Sequence, residues 1–190
     1  NGLTTEFHPT QMIADMLTVQ EEFGRDLHSR KLTFMGDAGN NVGNSLMVVC
    51  AKLGMDFCAC GPKEQMPSDE LVAQCREVAK ESGATITLTE DVDEGAAGAS
   101  VIYTDIWVSM GESSDLWAKR IELLSKYQVN AELMAKAADD AIFMHCLPSF
   151  HDRNTTIGED VFQKFGLPEL EVTDEVFESQ RSRVFDEAEN

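Results

Sequence analysis

No apolar run in this sequence is long enough to cross a bilayer. The best stretch, Leu46 to Leu53, is interrupted by Lys52. A basic-then-apolar leader is also missing, so nothing addresses the chain to export. Basic residues are scarce, with 15 Lys and Arg against 34 Asp and Glu and a formal net charge of −19. Without a basic stripe to neutralise phosphates, a nucleic-acid partner is excluded. A negative charge of this size serves solvation and tolerates cationic small molecules. The five cysteines are odd in number and irregular in spacing, which argues against a disulfide framework. Cys50, Cys58, Cys75 and Cys146 lie inside apolar runs, the pattern of reduced, buried thiols in a cytoplasmic protein. Cys58 and Cys60 lack the spacing of a zinc site, and alternation along a strand points both to one face. Neither a metal nor a cofactor is expected.

What is present is globular. Hydrophobic residues make up 43% and charged residues 26% of 190, enough for one domain with a real core. No repeat or low-complexity linker divides the chain. The expected organisation is a first helix within residues 1–23, an α/β core over 31–150 and an acidic segment over 151–190. The chain opens on Asn1 and ends on Asp186-Glu187-Ala188-Glu189-Asn190, which reads as the start of a helix. Both ends are therefore expected to be cuts in a longer protein.

Apolar residues recur at helical spacing from Pro9 to Phe23 (Met12, Ile13, Met16, Leu17, Val19, Phe23). Strands are predicted at Leu32 to Met35, Met55 to Cys60, Thr85 to Thr89, Ser100 to Thr104 and Ala141 to Leu147. Between them, helices are predicted from Asn44 to Leu53, from a Ser68 or Asp69 cap to Ser82, and around Asp93 to Ala97. Asp115 to Tyr127 and Ala131 to Ala137 follow, then Glu159 to Phe165 and Asp174 to Ser179. This alternation predicts an α/β fold, a doubly wound, Rossmann-like parallel sheet of about five strands with helices on both faces. Such sheets bind ligands at the carboxyl ends of their strands. Three polar segments fall there: Asp37 to Asn41, Asp105 to Gly111, and His145 to His151.

Each segment carries a possible chemistry. The turn from Gly36 to Ser45 opens a helix whose backbone donors can hold a phosphate or carboxylate, or it is simply a tight turn that needs glycine. It matches neither G-x-G-x-x-G nor a Walker loop. Asp105, at a strand end with Ser109 nearby, can pair with a substrate ammonium group or cap the next turn. His145, Cys146 and His151 put two imidazoles and a thiol within seven residues. Strand alternation would turn Cys146 away from His145, so a thiol nucleophile would need His151 or a distant histidine. A metal bound by these three would lack a fourth ligand at a known spacing. His8 precedes a helix whose first turn holds Pro9, and either caps that helix or reaches a ligand oxygen.

Taken in order, these segments resemble the transcarbamylases. His8-Pro9-Thr10-Gln11 is similar to that family's HPTQ motif. Asp105 with Ser109-Met110-Gly111, and His145-Cys146-Leu147-Pro148, are similar to the motifs of the ornithine carbamoyltransferases rather than the aspartate enzymes, which carry H-P-L-P. The resemblance spans essentially the whole chain, including Val172 to Phe177 and Asp186 to Asn190. It implies that Asn41, Asp105, Ser109 and Met110 hold the amino-acid end of L-ornithine. His8, Pro9, Thr10 and Gln11 would form the carbamoyl-phosphate loop, with Cys146 and Leu147 where the two substrates meet. His8, Asp105 and Cys146 would be the catalytic residues. The implied reaction is attack of the ornithine δ-amine on the carbamoyl carbon, giving citrulline and phosphate, in a homotrimer of the full enzyme.

Three departures qualify this. The family's S-x-R-T-R phosphate loop, part of an N-terminal carbamoyl-phosphate domain, is absent. The Arg that the family places after D-E-A-E-N lies beyond Asn190. Gly39 stands where many bacterial relatives carry Arg. The polypeptide alone is therefore expected to make little or no citrulline. A stand-alone amino-acid-binding module and a transcarbamylase of altered amine specificity remain the alternatives.

Overall fold

The structure, a computed structural model, describes residues 2–108 and 114–190. The first half runs α1 (Pro9–Phe23), β1 (Lys31–Met35), α2 (Asn41–Leu53), β2 (Asp56–Cys60), α3 (Asp69–Ser82) and β3 (Ile86–Thr89). The second half runs α4 (Val92–Ala96), β4 (Val101–Thr104), α5 (Trp117–Leu124), α6 (Ala131–Met134), β5 (Ile142–Met144), α7 (Thr156–Phe165), α8 (Asp174–Phe177) and α9 (Val184–Glu189). All five strands pair in parallel, in the order β3-β2-β1-β4-β5. The chain winds outward from β1 to β3, then returns to the other side of β1 to build β4 and β5. The crevice between β1 and β4 is therefore the point where the winding reverses, the place at which open α/β sheets bind ligands.

Side-chain alternation sorts the strands onto two cores. Leu32, Phe34, Phe57, Ala59, Val101, Tyr103, Ile142 and Met144 pack beneath α1, α2 and α3. Met35, Cys58, Cys60, Ile102 and Phe143 face the opposite layer, with Trp117, Leu124, Leu133, Val161 and Val176. The doubly wound sheet expected from the sequence is thus the one observed. Cys58 and Cys60 share a face, as alternation requires, and burial pushes the Cys60 thiol up to about 12. No helix among the described residues is long and apolar enough to cross a membrane.

Several boundaries differ from expectation, each for a local reason. Helix α2 starts at Asn41 rather than Asn44, because the Asn40 side chain accepts the Gly43 N–H at 2.8 Å and caps the helix earlier. Thr155 caps α7 in the same way, so that the helix starts at Thr156, three residues before the expected Glu159. Strand β5 stops at Met144 instead of Leu147, since the next N–H, that of His145, donates to the Glu187 carboxylate at 3.1 Å. Helix α6 ends at Met134, short of Ala137. The expected helix from Asp115 to Tyr127 is α5 flanked by two 3₁₀ turns, Ser114–Leu116 and Ser125–Tyr127.

Close packing at the start of α2 sets a test in which two physical effects have opposite signs. A Cβ on Gly43 would lie 2.3 Å from the Ala38 carbonyl oxygen. Helix propensity alone favours Gly43→Ala by about 1 kcal/mol, whereas the backbone clash predicts a net loss of about 1–3 kcal/mol. Urea unfolding of the variant is expected to show the loss; a gain would mean that α2 shifts freely on β1.

Candidate active site

The turn after β1 is held on three sides. Gly39 N–H donates to Gln65 O at 2.7 Å, and a Cβ on Gly39 would lie 2.7 Å from Met66 O, so no larger residue fits this backbone. Glycine at this position thus has a steric cause. A guanidinium reaches the turn from α5 instead: Arg120 Nη1 lies 2.7 Å from Asp37 Oδ2 and also bonds the Gln65 side chain. Asn40 then ties β1 to β4. Its Oδ1 caps α2 while its Nδ2 donates to Asp105 Oδ2 at 2.8 Å.

Asp105 follows β4 directly, and its other oxygen accepts the Ile106 N–H at 2.8 Å. Burial raises its pKa, against the opposing pull of the His145 charge and the Ile106 N–H. Asn41 lies in the first turn of α2, where its Nδ2 donates to Thr4 O at 3.0 Å. Ser109 and Met110 lie outside the described residues.

Next to this crevice, α1, the end of β5 and α9 enclose a cavity of about 290 Å³. Thr10, Gln11, Cys146 and Leu147, four of the expected site residues, line it together, joined by His145, Glu187 and Asn190. No Lys or Arg is among its described lining residues. His8 and Pro9 do not line it. Pro9 instead borders an apolar groove of about 900 Å³ between α1 and α2. The His8 side chain makes no capping bond; its main-chain N–H donates to Ser45 Oγ at 2.8 Å, and its buried Nδ1 has no partner. Of the two readings open for His8, capping is therefore removed.

Cys146 and His145 are not arranged as strand alternation suggested. Because β5 ends before them, their polar atoms and a carboxylate oxygen of Asp105 lie within 4.8 Å of one another. Burial raises the Cys146 thiol well above its usual range, and the charges of Asp105, Glu187 and Asp15 add to this. Cys146 is thus a thiol rather than a thiolate nucleophile. His151 takes no part here: it pairs with Asp174 at 2.8 Å and stacks on Phe177, centroids 3.6 Å apart.

His145 is fully buried, with Nδ1 3.0 Å from the Cys146 carbonyl and Nε2 3.3 Å from Glu171 Oε1. Both neighbours are acceptors, which favours the doubly protonated, cationic ring. The Nε2 contact is misaligned for a hydrogen bond and acts as an ion pair when the ring is protonated. Burial alone would lower the pKa of His145, but Glu171, Asp105 and Glu187 together raise it. Burial alone would raise Glu171, yet His145 and the Phe150 N–H hold it below the carboxylate range.

Glu171, fully buried and also accepting from Ser149 Oγ and Phe150 N, was missed from the sequence, where a lone Glu in an acidic stretch carries no signal. The stabilisation from the pair is present between two limits: it is lost as pH falls through the lowered pKa of Glu171 or rises through the raised pKa of His145. Glu171→Gln is expected to cost about 3–5 kcal/mol near neutrality and to lower the pKa of His145 in an NMR titration. An unchanged imidazole titration would mean that Glu171 does not hold the ring charged.

Comparison with known proteins identifies the family of this fold. The sequence model of the aspartate/ornithine carbamoyltransferase Asp/Orn binding domain matches residues 28–190. A catabolic ornithine carbamoyltransferase of Treponema denticola is 60% identical over 190 residues, covering 100% of this chain and 56% of that protein. An ornithine carbamoyltransferase of Staphylococcus aureus strain Newman is 52% identical over 191 residues, covering 100% and 57%. The chain therefore spans just over half the length of these relatives. The Pyrococcus furiosus ornithine carbamoyltransferase structure superposes with a TM-score of 0.84 at 36% identity, covering 100% of this chain and 54% of that one. That of Gloeobacter violaceus gives 0.81 at 40%, covering 100% and 56%. With its sheet order, its polar strand ends and these matches in agreement, the chain belongs to the aspartate/ornithine carbamoyltransferase family.

Proposed function

We propose that this chain is the ornithine-binding half of an ornithine carbamoyltransferase, which moves the carbamoyl group of carbamoyl phosphate to the δ-amine of L-ornithine. The observation that carries this reading is the adjacency of Asp105, half-buried at the switch of the sheet, to Cys146, which also lines the cavity with Thr10, Gln11 and Leu147. A carboxylate at the first place suits the α-ammonium group of an amino acid. Asn41, Ser109 and Met110 complete the amino-acid end. The cavity takes the carbamoyl group, and a donor such as His8 approaches its oxygen when the site closes.

In the reaction, the neutral δ-amine attacks the carbamoyl carbon and forms the new C–N bond. The C–O bond to phosphate breaks, and the departing phosphate takes the proton that the amine sheds. Asp105 keeps the α-ammonium charged, so the molecule binds by one nitrogen and reacts by the other.

A small dianion needs a cationic clamp, and no Lys or Arg is among the described residues lining the cavity. The clamp comes from the part of the relatives' length that this chain does not span, a carbamoyl-phosphate domain. Helix α1, which precedes the matched family domain and exposes Ile13 and Leu17, is the connection against which that domain packs. The 190-residue chain alone is expected to form no citrulline, while the complete polypeptide does so from ornithine and carbamoyl phosphate; turnover by the isolated chain would overturn the two-part reading. In the complete polypeptide, Asp105→Asn is expected to raise the KM for ornithine about 10- to 100-fold, the worth of a charged hydrogen bond. Putrescine, which has no α-ammonium beside a carboxylate, should be affected far less. Equal losses for both amines would remove Asp105 from the α-ammonium role.

A further inference from the structure

A second pair of carboxyl groups lies behind the cavity, and the reaction scheme above does not use it. Asp15 on α1 is 0% exposed and Glu187 on α9 is 2% exposed. The Gln11 side-chain amide spans them, with Nε2 2.8 Å from Asp15 Oδ1 and 3.0 Å from Glu187 Oε1. Glu187 also accepts from Tyr103 Oη at 2.9 Å and from the His145 N–H at 3.1 Å. The buried Asp15 Oδ2 is left without a donor. Neither group has an ion pair with Lys or Arg among the described residues.

Two ionised carboxylates offer only acceptors to each other, and both of these side chains are almost wholly buried. Both nonetheless accept from the same amide nitrogen, Gln11 Nε2, so the two carboxyl groups stand side by side, and burial favours a proton on one of them. We propose that Asp15 and Glu187 share one proton and act as a positioning pair that fixes the Gln11 amide with its nitrogen inward and its carbonyl oxygen toward the cavity. Gln11 then presents an acceptor to whatever occupies the cavity. That selects a ligand group carrying an N–H donor, as a carbamoyl group does, over a carboxylate or phosphate oxygen. The same carboxylate holds the His145 N–H, so the pair also joins the first and last helices to the end of β5.

The other titratable groups facing the pair do not supply the proton's role. Tyr103 is pushed well above its usual range by burial and stays protonated; so is Cys146, and so is Cys50 on α2. His145 is held toward its cationic form by Glu171, Asp105 and Glu187, against the cost of burial. Burial, foremost, raises both Asp15 and Glu187, with the charge of Glu187 adding to Asp15. A raised carboxyl pKa favours the folded state at low pH, and that contribution is lost as pH rises through the folded value.

Two measurements test the pair. In pH-difference infrared spectra of the complete wild-type polypeptide, a carboxylic-acid C=O band should persist well above the ordinary carboxylate range of about 4–4.5. It should vanish in Asp15→Asn or in Glu187→Gln, either of which serves if the other does not fold. Absence of the band in wild type, or its survival in both variants, overturns the proposal whatever the reaction is. The kinetic arm rests on the carbamoyl transfer proposed above. The KM for carbamoyl phosphate should climb at alkaline pH in wild type and stay flat in Asp15→Asn, whose amide supplies a donor that no base removes. Asp15→Leu, lacking that donor, should raise this KM about tenfold at neutral pH, and Asp15→Asn should restore it. An alkaline limb identical in wild type and Asp15→Asn overturns the positioning role. A band that behaves as expected in a protein without carbamoyl transfer would leave the shared proton standing and remove the proposed reaction.

Discussion

A carboxylate taken out of water must find a cation, several N–H donors or a proton, and three buried carboxyl groups and one half-buried one had to be resolved here in one of these ways. Asp105, Glu171, Glu187 and Asp15 lie near the carboxyl ends of β4 and β5, around the buried His145 imidazole, whose charged form three of them favour. Each is resolved differently. Asp105 takes an amide donor from Asn40 and one backbone N–H, Glu171 takes the imidazolium directly, and Glu187 and Asp15 turn to each other and to Gln11. Much of the local backbone follows from these choices. The N–H of His145 leaves the β-ladder to serve Glu187, so β5 is only three residues long. That early exit brings the polar atoms of His145 and Cys146 close to Asp105, where a longer strand would have separated them.

The sheet order supplies the other half of the constraint. Asp37 to Asn41, Asp105, and His145 to Leu147 are more than a hundred residues apart at their extremes, yet they follow β1, β4 and β5, which are consecutive in the sheet. Parallel pairing puts all three segments at the same edge, and the reversal between β1 and β4 opens the gap that Asn40 spans to Asp105. Helices α1 and α9 close the far side, with Gln11 and Glu187 facing each other across 176 positions of sequence.

The architecture was legible because it rests on periodicity. Alternation such as Phe34 against Met35, or Cys58 and Cys60 against Ala59, separates the two cores along each strand. Glycines 54 and 83, both in the left-handed region, marked helix ends in the sequence as they do in the fold. Boundaries set by one side chain were less legible. Asn40, Asn41 and Asn44 could each have capped α2, and only the bond from Asn40 to Gly43 decides among them. The site was half legible. Thr10, Gln11, Cys146 and Leu147 meet in one cavity, but Pro9 faces a different groove. Asp15, Glu171 and Glu187 carried no local signal, because in a chain with 34 acidic residues nothing distinguishes a buried carboxylate from a solvated one. The contacts of Glu171 and Glu187 reach 21 to 176 residues away in sequence.

That distinction changes what the acidic composition means. On the surface, negative charge serves solvation; behind the cavity it bears on chemistry. An amine that is to attack a carbonyl has to lose its proton, and every anion near it favours keeping the proton. Asp105 is needed to hold the α-ammonium, so at least one negative charge must stand close to the reacting molecule in the proposed reaction. Glu171 is offset by His145, and the shared proton removes one charge from the pair formed by Asp15 and Glu187. Both devices confine the negative potential to the end of the ligand that should stay charged. A cluster of four free carboxylates in the same volume would hold both nitrogens of a diamine protonated, and binding would then work against reaction.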